Sequence, residues 1–154
     1  MPSQSKPHSS ALRKGRFSEA HRIYLITSVS ENRAPWFRDL YLGRIVVRAF
    51  MGARPDAETL AFVVMPDHFH LLMQLGEAGD VSKAVQGVKS VSARLINRRL
   101  GRKGTVWQDD GFHDHAVRRD EDLPAIARYI VANPLRAGLV RKLGDYPLWD
   151  AVWL

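Results

Sequence analysis

An α+β fold is predicted from this sequence, with helices packed on an antiparallel sheet in the ferredoxin-like order βαββαβ and one further helix near the C-terminus. Three observations predict it. Short apolar and β-branched runs bounded by turn residues begin near Ile23, Thr59 and His68; apolar residues recur at three- and four-residue spacing from Val81 to Ile96; and a second helical stretch after Asp120 is bounded by prolines.

Residues 1–16, basic and rich in Ser and Pro, read as a disordered tail, and residues 17–154 as one domain. "HRIYLITSVS" (21–30) alternates in the manner of a strand until "ENRAP" breaks it. From Pro35 to about Met51, Phe37, Leu40, Tyr41, Ile45 and Val47 fall at roughly helical intervals, which predicts the first helix despite Gly43. "TLAFVVM" (59–65) is a second strand, Pro66 and Asp67 supply turn chemistry, and "HFHLLMQL" (68–75) runs back as a third. The long amphipathic helix follows, with Asp80 as its cap and Gly101 as its stop. "TVWQDDGFHDHAVRR" (105–119) reads as a fourth strand with an irregular middle. "DEDLPAIARYIVANP" (120–134) reads as a short helix with acids and Pro in its first turn and a Pro stop.

With 154 residues, 45% hydrophobic, the chain can bury one substantial core. It has no apolar run long enough to span a bilayer, and its first residues lack the apolar centre of a secretory signal, so a cytoplasmic protein is expected. Zero cysteines exclude disulfides, a thiol nucleophile and thiolate metal sites. The 23 Lys and Arg outnumber 16 Asp and Glu, for a formal charge of +7 and an isoelectric point of about 10.1, which favours a polyanionic partner such as nucleic acid. Basic residues cluster at 12–16 and 94–104. Each cluster is a candidate phosphate contact, with a plain solvated face as the alternative.

Side chains alternate across a strand, so His68 and His70 point the same way while Phe69 and Leu71 pack on the other face. Two adjacent imidazoles can share one cation, or can be histidines satisfied by hydrogen bonds. His113 and His115 have the same spacing and rank lower, with His115 expected to support the first pair through a hydrogen bond. Tyr129 and Asn133 lie four residues apart, which on one helix sets a carboxamide near a phenol; a core tyrosine is the other reading.

"VVMPDHFHLL", "VWQDDGFHDHAVRRDEDL" and "ARYIVANPLRAGLV" together resemble successive motifs of the REP-associated tyrosine transposases, relatives of single-tyrosine insertion-sequence transposases in the HUH nuclease superfamily. The resemblance runs from about Gly15 through most of the chain. It implies a ferredoxin-like fold, a divalent ion such as magnesium or manganese, and cleavage of single-stranded DNA beside a hairpin through a 5′-phosphotyrosine. On that basis Tyr129 is the nucleophile, and His68, His70 and Asn133 are the metal ligands. Gln74 and His115 would be outlying support for the metal site, with Gln74 too far along its strand to be a ligand. Arg13, Lys14 and Arg16 match a basic N-terminal segment near the recognised DNA. Arg94, Arg98, Arg99, Arg102 and Lys103 would hold the hairpin backbone, while Trp107 or Phe112 would stack on an unpaired base, with Trp107 reading equally well as a core residue. A hairpin-binding module without cleavage stays open as an alternative. So does a metal-dependent hydrolase using His68, His70 and Asp109 or Asp110. Neither sequence nor resemblance chooses between monomer and homodimer.

Overall fold

A computed structural model describes residues 21–54, 56–77, 79–108, 112–118 and 121–153. The expectations for the N-terminal tail, including Arg13, Lys14 and Arg16, and for Asp109 and Asp110 lie outside these residues. The strands are β1 (Ile23–Val29), β2 (Ala57–Met65), β3 (His68–Leu75), β4 (His113–Ala116) and β5 (Trp149–Ala151). The helices are α1 (Leu40–Met51), α2 (Val81–Leu100), α3 (Leu123–Val131) and the short α4 (Asn133–Arg136). All strand pairings are antiparallel, in the order β4-β1-β3-β2-β5. The α+β fold is therefore as expected, with β5 as an unforeseen fifth strand at the β2 edge.

The alternation of β3 divides the interior. Phe69, Leu71, Met73 and Leu75 enter one core with Phe50, Val85 and Val88 of α1 and α2. On the opposite face Leu72 joins Val63, Ala61, Ala151 and the α3 residues Ala127, Ile130 and Val131. His68 and His70 share this second face by strand period. Helix α3 thus covers the sheet face that carries the histidines.

Local chemistry sets the ends of the elements. Helix α1 begins at Leu40 rather than Pro35, because Asp39 caps it by accepting from the Tyr41 backbone N–H; short 3₁₀ turns fill 31–33 and 36–38. Gly43 is tolerated in mid-helix because a Cβ there would collide with the Leu148 side chain. Asp80 caps α2 through the Lys83 N–H, and Gly101, at φ 63°, ends it in the left-handed conformation. The fourth strand is shorter than expected: Trp107 makes an isolated bridge to Ser30, and regular pairing with β1 is confined to His113–Ala116.

Helix α3 stops at Val131, and this corrects the expectation that Tyr129 and Asn133 share one helix. Pro134 has no N–H to offer the Ile130 carbonyl. Asn133 Nδ2 donates to that carbonyl instead, at 2.9 Å, and a second short helix starts at Asn133.

Candidate functional site

The two-residue turn at Pro66 and Asp67 joins β2 to β3 and aims the histidine strand. The connection after β1 clamps that turn: Phe37 N–H donates to Pro66 O at 3.0 Å, and Ser30 donates to Asp67 O through N–H at 2.9 Å and Oγ at 3.1 Å. Each histidine then finds a partner for one ring nitrogen. His68 Nδ1 lies 2.8 Å from Asp67 Oδ1, and His70 Nδ1 lies 2.8 Å from Thr27 Oγ1, its register neighbour on β1. The ring centroids are 5.0 Å apart.

These partners matter chemically. An ionised carboxylate only accepts, so His68 Nδ1–H donates to Asp67, which leaves Nε2 as the nitrogen that can bind a metal. Burial tends to raise the Asp67 carboxyl, but hydrogen bonds and charge from His68 and Arg33 outweigh it and hold the group below its ordinary value. Burial, reinforced by the charges of His68 and Arg136, pushes His70 down to about 4, which leaves its imidazole neutral at pH 7. The Thr27 hydroxyl can accept from His70 Nδ1–H, and in that tautomer His70 Nε2 is a free ligand atom. Two imidazoles held at Nδ1 in this way suit a divalent ion bound through both Nε2 atoms. Asn133 fits as well, since its Nδ2 is spent on Ile130 and its Oδ1 remains to coordinate.

Tyr129 is 66% exposed and so is no core tyrosine. It lies off the α3 stripe of Leu123, Ile126, Ala127, Ile130 and Val131 that faces the sheet. Arg136 of α4 folds back over it: the guanidinium carbon sits 3.8 Å from the ring centroid, and Nη2 donates to the Tyr129 carbonyl at 2.7 Å. The same guanidinium charge also acts on His70.

Residues 21–133 match the family model described as "Transposase IS200 like". The chain belongs to the IS200-like transposase family. This IS200-like chain is 35% identical over 100 residues to a Haemophilus influenzae protein that bears, provisionally, the name REP-associated tyrosine transposase, covering 58% of this chain and 56% of that protein. It is 32% identical over 91 residues to the REP-associated tyrosine transposase of Escherichia coli K12, covering 58% and 52%. The chain thus spans about half the length of these curated relatives. Its fold matches a solved REP-associated tyrosine transposase bound to a REP hairpin with a TM-score of 0.71 and 26% identity, over 87% of this chain and 79% of that one.

Several expected residues of the IS200-like chain stand elsewhere. Gln74 donates to the His21 carbonyl at 3.0 Å, opposite Ile23 at the far end of β3, about 13 Å of strand from His70. His115 Nε2 pairs with Glu121 at 3.2 Å, not with the first histidines. Trp107 and Phe112 are buried, Trp107 against Phe37 and Phe69 with its Nε1 donating to Ser92 Oγ at 3.0 Å, so neither ring is open to a base. Arg94, Arg98, Arg99 and Lys103 are exposed, as DNA contacts need. Arg102 is mostly structural: its Nη1 donates to Asn97 Oδ1 at 2.6 Å, its Nη2 to Thr105 O at 3.3 Å, and it covers Trp36. Thr27, Arg33, Asp67 and Arg136 were missed as site residues. Only Asp67, adjoining the histidines, carried a local signal.

Proposed function

We propose that this chain is a metal-dependent DNA strand transferase that cuts single-stranded DNA beside a hairpin and holds the 5′ end on Tyr129. The observation that carries this reading is the exposed phenol of Tyr129 under Arg136, whose charge acts on His70 of the turn-anchored histidine pair. The solved relative holds a REP hairpin, and a REP-like hairpin is the partner proposed here.

In the proposed step Tyr129 Oη attacks phosphorus and the bond from phosphorus to the 3′ oxygen breaks. The leaving oxygen departs as a 3′ hydroxyl, gaining a proton to balance the one the phenol gives up, and the phosphotyrosine conserves the bond for rejoining. Asp67 keeps the His68 imidazole in the tautomer that ligation requires, and the Thr27 hydroxyl can accept from His70 Nδ1–H in the same tautomer. A magnesium or manganese ion held by His68, His70 and Asn133 would polarise the phosphate.

The test is denaturing electrophoresis of the protein with a labelled hairpin oligonucleotide carrying single-stranded flanks, over a manganese series. Tyr129→Phe should bind DNA and metal yet give no covalent band, because only the reacting oxygen is lost. Asn133→Ala should give a weak band that excess manganese restores. A normal band from Tyr129→Phe would sink the proposal.

A further inference from the structure

The missing N–H of Pro134 leaves the Ile130 carbonyl, and the helix break after Val131 the Tyr129 carbonyl, in need of donors, and side chains supply both. Asn133 Nδ2 takes Ile130 O, and Arg136 Nη2 takes Tyr129 O, the carbonyl freed where the helix breaks after Val131. A positive charge at a helix C-terminus accounts for the second bond alone. It does not account for the stack. The guanidinium plane lies over the Tyr129 ring at 3.8 Å from its centroid, so the bond fixes one end of the group while the ring fixes its face.

A guanidinium has five N–H donors spread around its edge, and stacking uses the face rather than the edge. Among the described residues only the Tyr129 carbonyl takes one of them, and Arg136 is exposed. The remaining donors lie beside the phenol, on a group whose charge reaches His70. That is where the DNA phosphate attacked by Tyr129 would sit, and a planar cation grips phosphate oxygens well.

We propose that Arg136 binds the scissile phosphate through its outer N–H edge while its face holds the Tyr129 ring in position for attack. The proposal rests on the strand-transfer reading above. It makes Arg136 a residue in contact with substrate, and it gives the Pro134 break a purpose: a continuous helix would satisfy the Tyr129 carbonyl from its own backbone and leave the arginine unanchored.

Binding separates this role from simple helix capping. The probe is a hairpin oligonucleotide whose single-stranded flank is selected from a randomised library on the Tyr129→Phe protein, with a neutral methylphosphonate placed in turn at each flank linkage. Affinities are measured in that background without metal, for Arg136 and for Arg136→Gln. One linkage should weaken about tenfold on neutralisation with Arg136 present and less than about twofold with glutamine, the scale of a charge-assisted hydrogen bond. Arg136→Lys should restore part of that difference. With Tyr129 intact and manganese present, the adduct should form at the same linkage, about a hundredfold more slowly in Arg136→Gln. Equal sensitivity of Arg136 and Arg136→Gln at every linkage overturns the proposal and leaves a helix cap. A parent protein that forms no adduct at any manganese concentration overturns the strand-transfer reading instead, whatever the methylphosphonate series shows.

Discussion

Asp67 decides which nitrogen His68 offers, Thr27 engages Nδ1 of His70, and neither is a proposed ligand. Asp67 holds His68 through Nδ1 and is itself held by Arg33 at 3.0 Å, an ion pair with an exposed arginine that adds little stability. Asp67→Ala should therefore lower manganese affinity by tenfold or more while shifting the unfolding midpoint little. Titration calorimetry beside His68→Ala, which should lose the metal altogether, checks this; an unchanged affinity would reduce Asp67 to a turn residue. Tyr24 and Tyr146 are poorly placed to stand in for Tyr129. Tyr24 is 2% exposed, and Tyr146 donates its hydroxyl to Val64 O at 2.6 Å.

At the scale of elements, the segment leading into β5 is fastened to β2 by that Tyr146 bond, by Leu148 O accepting from Val64 N–H, and by pairing of Ala151 with Ala61. Burial pushes the Tyr146 phenol up to about 12, against about 10 in an unfolded chain. The folded state thus favours the neutral phenol, and its stabilising effect is full below pH 10 and lost as pH rises towards 12. Tyr146→Phe should cost about 1 kcal/mol at neutral pH, as one lost hydrogen bond. The gap between parent and variant should narrow from pH 10 to pH 12 in denaturant titrations. A gap constant over that range would show that the phenol does not titrate in concert with unfolding.

Over the whole molecule, the basic end of α2 and the start of β3 lie at the same end of the sheet on different faces. Contacts connect them: Arg102 covers Trp36, the next residue Phe37 bonds Pro66, and Asp67 bonds His68. Arg99 stacks on the exposed Tyr41 ring at 3.9 Å. A hairpin stem along Arg98 and Arg99 would deliver its flank towards Tyr129, which is the DNA path we propose. Replacing Arg98 and Arg99 by Ala should reduce the salt slope of hairpin binding by about 1.5, two phosphate contacts' worth, with Arg102 left in place because it secures the loop after α2. Fluorescence anisotropy at several salt concentrations reads the slope, and a parent-like value would make this end of α2 a solvated face.

What the sequence determined by itself was whatever short periods and caps encode. The long helix from Asp80 to Gly101, the hairpin at Pro66 and Asp67, and the common face of His68 and His70 follow from spacing along one segment. So does a helix bearing Tyr129 and ended by Pro134. Tertiary structure decided the rest, because those contacts join residues whose separation along the chain carries no period. Trp107 and Phe112 look like stacking rings until the sheet and α1 enclose Trp107 and the core takes in both. Three residues at 149–151 are too few to show alternation, and they form a strand because the open edge of β2 accepts them. Asn133 reads as the last turn of the Tyr129 helix, and Arg136 lies beyond its proline stop. They become side-chain donors to α3 because Pro134 withholds a backbone N–H and the chain folds back to meet the carbonyls it leaves.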